Sequence, residues 1–370
     1  MSHSDNLLPE GLADKLPERS EAITLSMRAA LDVLWRHGYD RVRPPLVEFE
    51  KSLTKRMDGL QTRKMFRFVD PVSLRTLALR SDITPQIGRI AATSMADAPR
   101  PLRLAYCGEI ALIKADQLAP SREQIHLGGE LIGSDSVAAV SEIVSLTIEA
   151  LSAAGVEDIS VDFTLPDLVD TLSENDFPLA KGCKEQVRRE LDMKDAGGLK
   201  SVGGEAYLPL LYATGELHEA LTKLRRIDSA GSLATRIEAL EKIGSKLKEK
   251  ARITLDPTER HGFEYQSWFG FTIYADGVRG ALGRGGTYRI GGREEVATGF
   301  TLYVDKIAEV KRSGATSPLV YLQTGYDEIE AERLRRGGYR TIYQIGEEEN
   351  PLSMGCSHRL EGKELIEIET

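Results

Sequence analysis

The sequence predicts an α+β protein in which an antiparallel sheet is flanked by helices, with a helical insertion and a small C-terminal α/β unit. Three observations support this prediction. Segments of strand composition occur in pairs, as in residues 102–113 and 123–133. Apolar residues at helical spacing precede and follow these pairs. From about 170 to 250 the pattern is helical, and the chain ends in a strand–helix–strand pattern.

The first elements are predicted from apolar spacing and from proline and glycine positions. An apolar stripe predicts an amphipathic first helix that ends at Gly38. Its members are Ile23, Met27, Leu31 and Leu34. Two prolines make residues 41–50 an extended segment. The turn at 70–73 predicts a hairpin, and Thr84 followed by Pro85 predicts the N-cap and first residue of a helix.

Strand candidates dominate the rest of the chain. The first pair is joined by a polar loop at 114–122, and a strongly apolar helix follows from Ser136. Further strands are predicted after the helical insertion, at 263–275, 278–283 and 296–304. A helix follows around Lys306, and a linker begins at Ser313. We therefore predict a core of residues 1–312, with its insertion at about 170–250, and a small C-terminal domain of residues 313–370.

The composition excludes several classes of protein. The formal net charge is −9, so no global basic field favours nucleic acid. No run approaches the roughly 20 apolar residues of a membrane span. Three scattered cysteines make no disulfide framework, which is typical of a cytoplasmic protein. The histidines lack metal-ligand spacing, and no helix follows the glycines at 283–286, so neither a metal site nor a dinucleotide cofactor is predicted.

Six segments occur in an order that is more informative than any one of them. They are RPPLVEFE, LRSDITPQIGR, YCGEIALIKADQLAPSREQIHLGGELIG, HGFEYQSWFGFTIY, ALGRGGTY and VATGFTLYVDKI. Together they resemble the catalytic core of class II aminoacyl-tRNA synthetases, and in particular the histidyl-tRNA synthetase branch. The resemblance extends from about Leu8 to about Val310. It implies the antiparallel sheet of that family and a homodimer formed through the first segment and the helix before it.

The resemblance also implies that catalytic cations have been lost. Where the family has arginines that contact the nucleotide, this chain has Cys107, His261 and Lys306, and Tyr303 replaces a glycine. Fixed guanidinium groups stabilise charge that builds on a phosphate, and each lost donor costs on the order of 2.7–4 kcal/mol of transition-state stabilisation. We therefore expect a chain that is not an enzyme and has no catalytic residue.

The amino-acid side of the synthetase pocket is better preserved. The positions that match it by this resemblance are Asp82, Thr84, Arg122, Glu130 and Tyr265, together with the substituted positions His126 and Gln266. Two carboxylates, an aromatic ring and an arginine are suited to a zwitterion that carries an imidazole. The resemblance thus implies a histidine pocket.

Each of these residues also has an ordinary structural explanation. Burial explains Cys107 in an apolar strand. Asp82 and Thr84 are equally suited to capping the helix that follows them. Arg122, at the edge of a loop, is equally suited to an ordinary solvent-exposed position. His126 is suited to a core position where its ring nitrogens are hydrogen-bonded. Glu130 is the most informative residue, because a buried carboxylate needs a partner.

The tail and the lost cations together resemble the regulatory subunits of ATP phosphoribosyltransferase, a family of synthetase paralogues. Only residues 318–370 stand where a synthetase has a full anticodon-binding domain, so tRNA binding is not expected. This resemblance implies a short catalytic partner subunit, a homodimer within a hetero-oligomer, activation of the partner and feedback inhibition by histidine. Two alternatives stay open: a divergent amino-acid-activating enzyme, and an RNA-binding paralogue that regulates translation.

Overall fold

The computed structural model describes residues 7–54, 65–113, 121–180, 182–260, 266–291, 295–310, 317–346 and 348–368. The chain divides into two compact units, Met1–Val310 and Lys311–Thr370. Most of the predicted loop at 114–122 falls outside the described residues. No helix in the described part of the chain is long and apolar enough to cross a membrane.

The elements of the described residues are numbered in chain order. The helices are α1 (Pro17–Arg36), α2 (Glu50–Thr54), α3 (Thr84–Ala92), α4 (Val137–Ala153), α5 (Leu168–Glu174), α6 (Lys184–Asp192), α7 (Ala196–Ser201), α8 (Leu217–Ile227), α9 (Ala234–Leu247), α10 (Val304–Ile307) and α11 (Glu328–Arg336). The strands are β1 (Asp40–Arg41), β2 (Val47–Phe49), β3 (Arg67–Val69), β4 (Thr76–Leu79), β5 (Leu102–Ala111), β6 (Glu123–Ile132), β7 (Ile159–Thr164), β8 (Gly215–Glu216), β9 (Arg252–Leu255), β10 (Gln266–Ala275), β11 (Gly283–Ile290), β12 (Glu295–Tyr303), β13 (Leu319–Leu322), β14 (Arg340–Tyr343), β15 (His358–Glu361) and β16 (Glu364–Glu367).

One large sheet carries the first unit. Its nine strands lie in the order β1-β5-β6-β12-β11-β10-β7-β9-β8. Most neighbours are antiparallel, whereas β1 with β5 and β7 with β9 are parallel. Helices α1 and α4 pack on one face, where Leu34, Leu127 and Val144 belong to the main core. The prediction of an antiparallel sheet flanked by helices is confirmed.

Helix α1 follows the predicted pattern. Ile23 and Leu34 are buried, and the chain turns at Gly38, whose φ of +78° is accessible to glycine at no steric cost. Helix α4 begins after Ser136, whose hydroxyl accepts the backbone N–H of Ala139 at 3.2 Å. This contact satisfies one of the N–H groups that a helix start leaves without an internal partner.

Two predictions about strands need correction. The strand predicted at 278–283 instead occupies Gly283–Ile290, because positive φ angles at Gly277 and Gly280 form a turn before it. Strands β7 and β9, at the two ends of the helical insertion, were not predicted. Each is short, and each finds its place only by pairing with a distant strand of the sheet.

The predicted start of α3 also differs. Ile83, not Thr84, occupies the N-cap position, and the helix begins at Thr84. The hydroxyl of Thr84 donates to Glu130 Oε1 at 2.9 Å instead of bonding to the helix backbone. Asp82 lies just before the N-cap residue, and its Oδ1 accepts the N–H of Thr84 at 3.2 Å.

The helical insertion is built into the first unit. It contains α5 to α9 and a 3₁₀ helix at Glu205–Tyr212. Its residues Leu172, Leu224 and Leu240 are buried in the same core cluster as Phe269 of β10. Because β7 and β9 are parallel neighbours, the insertion leaves and re-enters the sheet at adjacent positions.

Two smaller sheets complete the fold. Strands β2, β4 and β3 form an antiparallel sheet, which confirms the hairpin predicted around 70–73. In the second unit, β13, α11 and β14 form the predicted strand–helix–strand, with the two strands parallel. Strands β15 and β16 extend that sheet beyond the prediction.

Candidate functional site

The candidate pocket lies on the face of the large sheet opposite α1 and α4. Its lining residues come from α3, β6, β10, β11 and β12, and they are Thr84, Glu130, Gln266, Arg284, Gly285, Gly286, Tyr288, Gly299, Phe300 and Thr301. Glu130 is 1% exposed and lies on β6, between β5 and β12 in the sheet. A buried carboxyl group at the bottom of a concave site is a candidate for ligand recognition.

Hydroxyl groups supply the hydrogen bonds of Glu130. Tyr288 donates to Oε2 at 2.8 Å, Thr84 donates to Oε1 at 2.9 Å, and Tyr106 lies 3.5 Å from Oε1. Burial raises the pKa of Glu130 to about 8, although these hydroxyl donors act in the opposite direction and the charge of Asp82 adds to the rise. At neutral pH this carboxyl group is therefore mostly protonated.

Glycines bring the strands of the pocket close to the polar side chains. A Cβ atom at Gly299 would lie 1.6 Å from Glu130 Oε2, and one at Gly128 would lie 2.4 Å from the hydroxyl of Tyr106. That hydroxyl is also 2.6 Å from Thr301 Oγ1. Glycines thus permit close approach at positions 128 and 299 as well as at 283, 285 and 286.

The pocket is nearly filled by its own side chains. The space left in it is about 20 Å³, which holds about one water molecule. Gln266 is one of the lining residues, and its Nε2 donates to the carbonyl of Gly285 at 2.8 Å. A ligand of amino-acid size therefore needs lining side chains to move.

His126 lies on the same face of β6 as Glu130 but four residues away, which is about 13 Å along a strand. It is 8% exposed, and neither ring nitrogen has a hydrogen-bond partner among the described residues. Burial lowers its pKa to about 4, so the ring is neutral. Tyr303 packs against it, with ring centroids 5.2 Å apart. The satisfied core position considered for His126 is not what the structure has.

Two predicted site residues lie away from the pocket. Cys107 pairs with Leu127 and belongs to the main core, on the sheet face opposite Glu130. A side chain at position 107 therefore cannot reach a ligand beside Glu130, and burial raises the pKa of this thiol to about 11. Arg122 donates to the carbonyls of Leu112 and Glu10 at 3.2 Å, and is held at the loop edge.

Of the remaining residues predicted from the sequence, only some lie in the described part of the chain. His261 and Tyr265 lie outside the described residues. Lys306, in α10, is half-buried, and its Nζ lies 3.1 Å from where a Cβ would stand on Gly280. It is not among the residues that line the pocket.

The sequence analysis missed two cations on this face. Arg80 is 4% exposed, and it donates to the carbonyls of Glu109 and Pro44 at 2.7 and 3.0 Å. Its Nη2 lies 2.2 Å from where a Cβ would stand on Gly108. Arg284 lines the pocket itself. The sequence pattern that could have indicated Arg284 is an arginine between two glycines in a strand, as in Gly283-Arg284-Gly285.

The strand β5 presents no cation to the pocket. Its residues on the Glu130 face are Leu102, Leu104, Tyr106, Gly108 and Ile110. Arg103 points to the opposite face, where it forms two hydrogen bonds with Glu142 at 2.7 and 2.8 Å. Among the described residues, no group of histidine, cysteine, aspartate or glutamate side chains is arranged to hold a metal ion.

The fold and the pocket define the class of protein. The sequence model of the family described as histidyl-tRNA synthetase matches residues 11–307. A histidyl-tRNA synthetase structure from Nostoc sp. matches with a TM-score of 0.78 at 14% identity, over 96% of this chain and 90% of that one. A Bacillus halodurans structure, described as an ATP phosphoribosyltransferase regulatory subunit/histidyl-tRNA synthetase, matches with a TM-score of 0.79 at 24% identity, over 95% of each chain. The fold is that of a class II aminoacyl-tRNA synthetase.

Full-length relatives identify the family within this class. A protein from Rhodospirillum centenum is 37% identical over 100% of this chain and 98% of its own length. One from Paramagnetospirillum magneticum is 36% identical over 100% of both chains. Both are named ATP phosphoribosyltransferase regulatory subunit. The chain belongs to the family of ATP phosphoribosyltransferase regulatory subunits.

Proposed function

We propose that this chain is a non-catalytic subunit that activates a short-form ATP phosphoribosyltransferase and mediates its inhibition by histidine, in the first step of histidine biosynthesis. The observation that carries the proposal is a synthetase pocket in which Glu130 and Thr84 keep their mutual contact while β5 supplies no cation. The names of its full-length relatives support the regulatory role. In this proposal the partner is the short catalytic subunit and the effector is histidine.

Histidine is the effector that suits the pocket. Glu130 lines the pocket, where it can hydrogen-bond an imidazole nitrogen. Burial, Glu130 and Tyr106 raise the pKa of Tyr288, and the nearby charge of Asp82 adds to that rise. In this proposal the ring of the ligand meets Glu130, and its ammonium group is held by the charge of Asp82. Because the free pocket holds about one water, binding has to displace lining side chains, of which Gln266 is one candidate.

The proposed lack of catalysis rests on charge. Amino-acid activation builds negative charge on the α-phosphate of ATP, and fixed guanidinium groups normally stabilise it. Tyr106 and Gly108 face the pocket from β5 in place of such a group. Arg284 does line the pocket, and this favours keeping a divergent amino-acid-activating enzyme as the second candidate. Histidine-dependent exchange of pyrophosphate into ATP would establish that second candidate and exclude the first.

We further propose that the chain forms a homodimer within the hetero-oligomer. The small sheet β2–β4–β3 and its hairpin expose Phe68, Val69, Val72 and Leu74, the last two at 90% and 79%. Contiguous apolar surface of this kind is typical of protein interfaces. Two-fold symmetric dimers are the commonest homo-oligomers.

The decisive experiment compares three mixtures. A short catalytic chain is assayed alone, with this protein, and with this protein and histidine. We expect turnover to rise in the second mixture and to fall in the third, with a complex that elutes earlier on gel filtration. An allosteric coupling free energy of about 1–3 kcal/mol changes the affinity of one site for its ligand roughly 5–150-fold. Equal turnover in the first two mixtures, with no complex, would overturn the proposed function.

A further inference from the structure

We propose that Thr287 is a positioning residue whose hydroxyl group holds a bulge in β10 and thereby keeps the side chain of Gln266 seated in the pocket. Thr287 is fully buried on β11 beside Tyr288, and because side chains alternate along a strand, it points to the face away from the pocket. It reaches the pocket through the backbone of the neighbouring strand. In this role Thr287 tunes the histidine pocket of the proposed function, on which the inference rests.

The pairing of β10 with β11 is interrupted next to the pocket. Gln266 of β10 pairs with Tyr288 of β11. Four positions further along β10, Gly270 pairs with Gly286, which is only two positions from Tyr288. Four residues of regular strand span about 13 Å, whereas two span about 7 Å. The three residues of β10 opposite Thr287 therefore arch out of the ladder as a bulge.

The hydroxyl group of Thr287 provides hydrogen bonds that the interrupted ladder does not. It accepts the backbone N–H of Trp268 at 3.2 Å and that of Phe269 at 3.1 Å. It also donates to the carbonyl of Phe269 at 3.3 Å, and the hydroxyl of Ser267 donates to it at 2.8 Å. A buried backbone group that loses its partner is costly, so this hydroxyl stabilises the bulge.

The bulge is paired with a strand on one side only. Strand β7 pairs with β10 from Gly270 to Ala275. Among the described residues, residues 266–269 are therefore paired with β11 alone. The side chains of Trp268 and Phe269 belong to the main core, and they fix the bulge on that face. The hydroxyl of Thr287 fixes its backbone against β11, which determines where Gln266 lies.

The bulge brings Gln266 onto a seat made of glycines. A Cβ atom on Gly270 would lie 2.4 Å from Gln266 Oε1, and one on Gly286 would lie 2.8 Å from Gln266 Nε2. The same Nε2 donates to the carbonyl of Gly285. Gln266 is half-buried, whereas Glu130 is fully buried, so Gln266 can move without opening the core. In this proposal it is the side chain that histidine displaces, and a looser seat gives tighter binding.

Nuclear magnetic resonance of the full-length protein, labelled with ¹⁵N in glutamine, follows this seat without a ligand. The side-chain amide signal of Gln266 is assigned by its absence from Gln266→Ala. Thr287→Val removes the hydroxyl, and it should shift that signal and speed the exchange of the amide hydrogens about two- to tenfold. Thr287→Ser, which retains a hydroxyl, should resemble the native protein. The matched control is Thr298→Val, at an equally buried threonine of β12 whose hydroxyl donates to the carbonyl of Ser134.

The native protein decides the matter if Thr287→Val does not fold. One opening of the bulge should release the backbone amides of Trp268 and Phe269 together with the side-chain amide of Gln266. The hydrogen exchange of all three should therefore depend equally on urea concentration. Unequal dependence would overturn the inference, and so would an unchanged Gln266 signal in a folded Thr287→Val.

Calorimetry with histidine connects the seat to the proposed function. Thr287→Val should bind histidine about two- to tenfold more tightly than the native protein, the range that one hydrogen bond of ordinary strength covers. In the Gln266→Ala background the same substitution should change the affinity less than about twofold, because Thr287 acts through Gln266. Equal effects in both backgrounds, or weaker binding in Thr287→Val, would overturn the inference. If the native protein binds no histidine, the proposed function loses its effector pocket, while the amide measurements still decide the role of Thr287.

Discussion

Replacing Glu130 with glutamine should make the stability of the first unit less dependent on pH. The folded-state pKa of Glu130 is raised from 4.5 to about 8, so the folded state binds this proton more tightly than the unfolded chain. The stabilisation is fully present below pH 4.5 and is lost as pH rises to 8. At 1.36 kcal/mol per pH unit, the loss amounts to about 3–5 kcal/mol, whereas an amide has no proton to lose.

Urea unfolding at pH 5, 6, 7 and 8 measures this difference. Trp35 and Trp268 both lie in the first unit, so tryptophan fluorescence follows that unit alone. Protein concentration is held constant, because any dimer adds a concentration-dependent term. The control is Glu219→Gln, at an exposed position of α8. If Glu130→Gln and the native protein lose the same free energy of unfolding between pH 5 and 8, the reasoning about the buried proton is refuted.

Three further predictions concern other residues. Burial lowers the pKa of His126 to about 4, so its contribution is present above about pH 6.5 and lost as pH falls toward 4. The native protein should therefore lose about 3 kcal/mol more free energy of unfolding between pH 6.5 and pH 4 than His126→Gln does. An equal loss in the two proteins would contradict this. Gln266→Ala should tighten histidine binding several-fold in calorimetry, because no side chain has to be displaced; weaker binding would show that Gln266 contacts the ligand instead. Phe68→Asp should reduce the mass found by light scattering from two chains to one, while Ile329→Asp, on the exposed surface of the second unit, should not.

The sequence was sufficient for the fold and for the central residue of the pocket. Ordered motifs indicated the synthetase core, and an acidic residue in an apolar strand indicated that Glu130 is buried and partnered. Of its hydrogen-bond partners, Thr84 was among the predicted pocket residues, whereas Tyr288 was not. Tyr288 lies 158 residues from Glu130 along the chain, and only the strand register brings it there.

The placement of Cys107 shows a different limit. Side chains in a strand alternate between two faces, so a displacement of one residue moves a side chain to the other side of the sheet. Sequence matching set Cys107 against a ligand, whereas the register sets its neighbours Tyr106 and Gly108 there. For Arg122 the limit is loop conformation, since contacts with Leu112 and Glu10 direct its side chain away.

The way the helical insertion joins the sheet gives the molecule mechanical continuity. Strand β10 is hydrogen-bonded along one edge to β7, where the insertion begins, and along the other edge to β11, which carries Tyr288 and Arg284. A force that displaces the insertion therefore acts on a strand only one position away from the pocket. Antiparallel strands resist sliding because every ladder hydrogen bond would have to shift together. A load applied to the insertion thus reaches the strands that carry Gln266 and Tyr288 through the β7–β10 and β10–β11 ladders.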